Sequence, residues 1–151
     1  MPRLGRQGGL VTYWIKISYE RDTYVIDLKQ ISAFCRAPNR KVTFWLPDGR
    51  IPILIHPQSN QDAYEQVVNY IKQIVTTPEQ GAYWVKILYD REEYAINLAR
   101  ISAFSREPNT GKISFWLPDS GTRIIIHPHS NPDAYSLVME YIEKKTGYSL
   151  E

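Results

Sequence analysis

The chain predicts an α+β fold built as a tandem duplication: two copies of a small unit, each an antiparallel meander of four or five strands followed by a C-terminal helix. Three observations lead there. First, YWIKISYERDTYVIDLKQISAFCRAPN from Tyr13 returns as YWVKILYDREEYAINLARISAFSREPN from Tyr83, and 34 of 60 aligned positions between 13–72 and 83–143 are identical. Self-similarity at a fixed period marks a repeat architecture. Second, short runs alternate apolar and polar residues with period two, the signature of half-buried strands. Third, each copy ends on a segment with apolar residues at helical spacing.

Trp14–Tyr19 alternates, with Ile15 and Ile17 opposite Trp14, Lys16 and Ser18. Val85 and Ile87 repeat this against Trp84, Lys86 and Leu88. A polar turn at Glu20-Arg21-Asp22, or Asp90-Arg91-Glu92, leads to a second strand at residues 23–28. Here Tyr24, Ile26 and Leu28 share one face. A third strand is expected at residues 31–36, ended by Pro38-Asn39, because proline removes a ladder donor. Val42, Phe44 and Leu46 form one face of a fourth strand. It stops at Pro47-Asp48-Gly49, where proline presets φ and glycine accepts φ > 0. Ile51, Ile53 and Ile55 alternate as a fifth strand, placed at an edge or bulge by Pro52. The helices follow Asn60 and Asn131 as N-caps, with Pro132 at the first helical position and Asp62 and Asp133 in the first turn.

This order of a meander, an "LPDG" hairpin and a closing helix resembles, at fold level, the bacterial pleckstrin-homology-like folds. The resemblance implies that architecture in each unit and no ligand or residue role. The organisation read from the chain is a flexible N-terminus over residues 1–12, a first unit over 13–75, a linker over 76–81 and a second unit over 82–148. The linker carries Pro78 and Gly81 without apolar periodicity. Units of this size bury a marginal core alone, so the two are expected to pack together.

One helix covers one sheet face. Ile15, Ile17, Ile26, Leu28, Phe44, Leu46, Ile53 and Ile55 make the natural inner face. Trp14, Lys16, Thr43, Trp45 and Leu54 are left on the other, with Trp84, Lys86, Ser114, Trp116 and Ile125 at the matching places. All four tryptophans fall there. A solvated face should be polar, so this one is expected to be covered. The other unit, a protein partner or second copy, or a stacked ligand would each cover it.

Composition narrows the function. The 151 residues carry 43% hydrophobic and 23% charged residues, which places the chain among globular domains rather than disordered ones. No run reaches the ~20 apolar residues of a membrane span, and no membrane role is expected. A net charge of +2 argues little for nucleic acid. The single cysteine, Cys35, forbids an internal disulfide. Residues 1–10 lack a secretory pattern, so a cytoplasmic address is expected.

No nucleophile elbow, HExxH, P-loop or dinucleotide fingerprint is present, and no enzyme and no cofactor are expected. Asp48 and Asp119 read as turn residues and Cys35 as a strand filler replaced by Ser105. His127-x-His129 is a weak metal candidate, because Gln58 stands where the second unit has His129. Arg36, Arg40 and Lys41 form a basic hairpin in the first unit only. The expected function is a non-enzymatic protein–protein interaction or adaptor and regulatory module, with an unidentified protein partner or self-association. The alternative is a nucleic-acid or other anionic-ligand binder using Trp14, Lys16, Trp45, Trp84, Lys86 and Trp116 with that hairpin.

Overall fold

The computed structural model describes residues 12–49, 51–77 and 80–151. The expected N-terminal segment lies outside these residues except for Thr12, and Pro78 and Glu79 of the linker lie outside them too. The first half contains β1 (Trp14–Tyr19), β2 (Asp22–Asp27), β3 (Ala33–Arg36), β4 (Val42–Trp45), β5 (Pro52–Ile55) and α1 (Gln61–Thr76). The second contains β6 (Trp84–Tyr89), β7 (Glu92–Asn97), β8 (Ser105–Arg106), β9 (Ile113–Trp116), β10 (Arg123–Ile126) and α2 (Pro132–Thr146). The fold is mixed α+β with antiparallel sheets, and the same order of elements occurs in both halves. α1 continues through Thr76, one residue into the segment read as linker.

The expectation of a continuous meander within each half is corrected. β1 pairs with β2 alone, β8–β9–β10 form a three-stranded sheet, and the largest sheet runs β5–β4–β3–β7–β6. β3 of the first half therefore pairs with β7 of the second, in the register Ala33–Ile96, Phe34–Ala95, Cys35–Tyr94 and Arg36–Glu93. The cause is a turn of 3-10 helix at Leu28–Gln30, repeated at Leu98–Arg100, which ends the second strand and redirects the chain. Asp27 builds the first of these turns: its Oδ1 accepts from the Lys29 amide at 3.1 Å and the Tyr13 amide at 2.8 Å. Asn97 does the same for Ala99 and Tyr83. Leu28, expected on a strand, is buried in this turn.

The shared sheet separates two cores. Phe34, Val42, Phe44, Ile53, Ile55 and Ala95 enter the first, together with Ile15, Ile17 and Ile26 of the β1–β2 hairpin and the buried face of α1. Ala33, Cys35, Val85, Ile87, Tyr94 and Ile96 enter the second, with Phe115, Ile124 and α2. Successive residues of a strand point to opposite faces, so β3 and β7 feed both cores at once. Leu46, expected as a full core residue, is only partly buried.

Asn60 and Asn131 do precede the helices, but neither side chain caps its own helix. Each side-chain amide instead donates to the first hairpin of its own half, Asn60 to the Ser18 carbonyl at 3.1 Å and Asn131 to the Leu88 carbonyl at 2.9 Å. The hairpins turn at Glu20-Arg21 and Asp90-Arg91, all four residues at positive φ. That geometry matches strand twist but costs non-glycine residues some strain.

Phe34 touches the rings of Phe44 and Tyr70 from its own half and Trp84 from the other. Phe34→Ala is expected to lower stability by about 3–5 kcal/mol. The halves share a sheet, so urea unfolding followed by helix circular dichroism and by tryptophan fluorescence should give one coincident transition in both proteins. Separate transitions would show that the halves unfold independently.

Candidate interaction surface

The four tryptophans divide into two kinds. Trp45 at the end of β4 is half-buried against the second core, and Trp84 at the start of β6 is half-buried against the first. The Trp84 ring lies 5.9 Å from Phe34. Each of these indoles thus crosses from its own half to the other. Among the described residues their counterparts are left open. Trp14 is 59% exposed and Trp116 is 51% exposed, the latter with the Arg123 guanidinium 5.2 Å from its ring. Lys16 and Lys86 are exposed on β1 and β6, beside Trp14 and Trp84 in sequence. Val25 and Leu88 add exposed apolar surface on the hairpins.

The basic hairpin is less free than its composition suggests. Arg36 makes an ion pair with Glu93 across the β3–β7 junction at 3.1 Å. The turn is closed by Arg40 at φ 75°, and the Lys41 amide donates to Asn39 Oδ1. In the second half the additional residue is Gly111, which takes the left-handed conformation at φ 78°. There Thr110 donates to Glu107 at 2.6 Å, and that hydroxyl, ahead of Lys112, lowers the Glu107 carboxyl below the usual range.

His56, His127 and His129 are exposed. No group of three or more His, Cys, Asp or Glu side chains among the described residues is arranged to hold a metal ion. Asp48 is an exposed turn residue, whereas Asp119 accepts a hydrogen bond from Ser32 Oγ at 2.9 Å. The turn reading of Asp119 is therefore incomplete, because it also ties the halves together.

Sequence reasoning missed a polar cluster at this junction. The buried Cys35 thiol donates to Glu92 Oε1 from the other half, next to Tyr94. Burial first, and then the Glu92 carboxylate, push the Cys35 thiol up from 9.0 to about 12. Burial, followed by Cys35 and the nearby acids, raises Tyr94 as well. A thiol held protonated is a poor nucleophile. A small cleft of about 140 Å³ borders this cluster, walled by Cys35, Val68, Ile71, Lys72 and Lys86 among others. It is smaller than the ~300 Å³ of ordinary small-molecule sites. A more open groove of about 570 Å³ runs past Ile74, Val75, Trp84, Lys86 and Leu137. No helix of the described residues is long and apolar enough to cross a membrane.

No protein-family model matches this chain, and comparison with curated proteins and with solved structures yields no match.

Folded protein should leave Cys35 unreactive toward Ellman's reagent at pH 8, with one equivalent reacting after denaturation. The raised thiol has a sign in stability too. The unfolded chain loses its proton first, so the contribution is complete below about pH 9 and is lost as pH rises toward 12. Cys35→Ser should flatten this alkaline loss in urea titrations, leaving the part due to Tyr94. An unchanged slope would remove Cys35 from the account.

Proposed function

We propose that this chain is a non-enzymatic protein–protein interaction module with an adaptor or regulatory role, formed by tandem duplication of one unit and acting in the cytoplasm. The observation that carries the reading is the exposure of Trp14 and Trp116 on outward sheet faces. Large aromatic side chains are favoured anchors of protein interfaces, and their burial removes much apolar area from water. Trp45 and Trp84, at the matching places, are shielded by protein. The same kind of cover is what the two open indoles lack.

A second reading, an anionic ligand such as single-stranded nucleic acid, draws on Lys16 beside Trp14 and Lys86 beside Trp84. Stacking on tryptophan next to a cation is the chemistry it would use. Its electrostatic support is thin, since the net charge is +2 and Arg36 is engaged by Glu93.

Trp14→Ala combined with Trp116→Ala should change unfolding free energy by less than about 1 kcal/mol, because both side chains are largely in solvent. The double variant should lose the partner protein captured by the parent chain, tested by affinity capture and reconstitution with the purified partner. Trp45→Ala should instead cost about 2 kcal/mol or more. Capture that survives in the double variant would sink the reading. Tryptophan quenching by an oligonucleotide, lost in Lys16→Ala, would favour the anionic ligand.

A further inference from the structure

The described residues form one complete five-stranded sheet and two incomplete ones. β5–β4–β3–β7–β6 joins a three-stranded meander from the first half to a hairpin from the second. The second half's meander, β10–β9–β8, and the first half's hairpin, β1–β2, are the same two parts standing apart. Sequence alignment places Phe104 where Phe34 stands and Val25 where Ala95 stands.

The open strands show what they lack. Ala33, Phe34 and Cys35 are buried, whereas Ala103 and Ser105 are exposed and Phe104 is half-covered. Ala95 is 5% exposed and Val25 63%. Their backbones are aimed outward: beside β8 the Glu107 amide bonds the Lys112 carbonyl, which turns residues 105 and 107 toward β9 and leaves 104 and 106 facing away. The Asn97 amide donates to the Ser32 carbonyl at 3.0 Å, so residues 93, 95 and 97 turn their polar groups toward β3. On β2 the Leu28 amide bonds the Tyr13 carbonyl, which turns the even residues toward β1 and leaves residues 23, 25 and 27 facing away.

We propose that the β8 edge of one chain pairs antiparallel with the β2 edge of a second copy, with Phe104 opposite Val25 and Arg106 opposite Thr23, completing a second five-stranded sheet. This rests on the reading of the Trp14 and Trp116 ends as protein-binding surfaces and names their occupant. The side chains fit the internal junction as a template. Trp14 takes the place of Trp84 against Phe104, and Trp116 packs toward the second copy's first core as Trp45 packs on the second. Ser105 and Asp22 replace the Cys35–Glu92 pair, and Ser102 and Asp48 replace Ser32–Asp119. The Arg36–Glu93 ion pair has no counterpart, because Thr23 stands where Glu93 does. The contact between copies is therefore weaker than the internal one. Two different edges meet, so the assembly is head-to-tail and gives a ring or a filament.

Light scattering coupled to size exclusion, run from micromolar to millimolar concentration, should give a mass above the 17.6 kDa of one chain. Val25→Pro removes an outward amide, and Val25→Lys places a charge on the edge. Each should weaken association at least tenfold while circular dichroism stays that of the parent, and the lysine variant decides if the proline variant fails to fold. A Thr23→Cys, Arg106→Cys pair in a Cys35→Ser background should oxidise to a disulfide between chains. A monomer throughout, association indifferent to the Val25 substitutions, or a disulfide closed within one chain would each overturn the proposal. A monomer that still captures another protein through Trp14 and Trp116 loses this inference and keeps the broader reading. A monomer that captures none loses both.

Discussion

Everything in this fold hangs on the pairing of β3 with β7. Four residue pairs join the halves, and the two faces of that pairing look into different cores. A slip of one residue would send Phe34 into the core that now holds Cys35 and bring Cys35 out on the other side. The register is thus fixed by side chains that could not exchange places. It also answers the size problem of a unit of about 65 residues, since each core borrows a wall from its neighbour.

The polar contacts along the junction reinforce that register. Cys35 with Glu92, Arg36 with Glu93 and Ser32 with Asp119 each join one half to the other. The Arg100 guanidinium also donates to the Gln30 carbonyl at 3.0 Å. Each is modest alone, and the exposed Arg36–Glu93 pair is worth little in stability. Their value lies in position, because a shifted strand would leave Cys35 and Ser32 buried without these partners.

Alternation made β1, β2, β4 and β5 and their counterparts legible, and helical spacing located both helices. The alternating pattern cannot name a strand's partner, however, which is why sequence alone places the meander within each half. Both faces of β3 are apolar, and that was the available hint: Ala33, Phe34 and Cys35 leave no solvent face for a sheet covered by one helix. The turn at Leu28–Gln30 was hidden because Leu28 continues the strand's alternation. Its signal was Asp27 or Asn97 placed to cap the amide two residues on. Of the site residues, sequence alone groups the four tryptophans as one kind of outward face, whereas Trp45 packs on the second core, Trp84 on the first, and Trp14 and Trp116 are open. Trp45 and Trp14 look alike in pattern, and what separates them is that β4 belongs to the sheet shared with the second half while β1 pairs with β2 outside it. The Cys35–Glu92 contact spans 57 positions and had no local mark.

The long separation between β3 and β7 also bears on how the chain is made. Synthesis proceeds from the N-terminus at about 5–20 residues per second, so β3 waits roughly 3–12 s before the strand it needs has been added. During that interval the first half can form its hairpin, its meander and α1, yet one wall of its core is missing and a strand edge stands open. The edge is only four residues long and carries Arg36. Short length and charge are the features that discourage mispairing of such edges. Neighbouring nascent chains on one message present the same strand at the same time, so the brevity of β3 helps to keep each chain's second half as the strand that completes its own first.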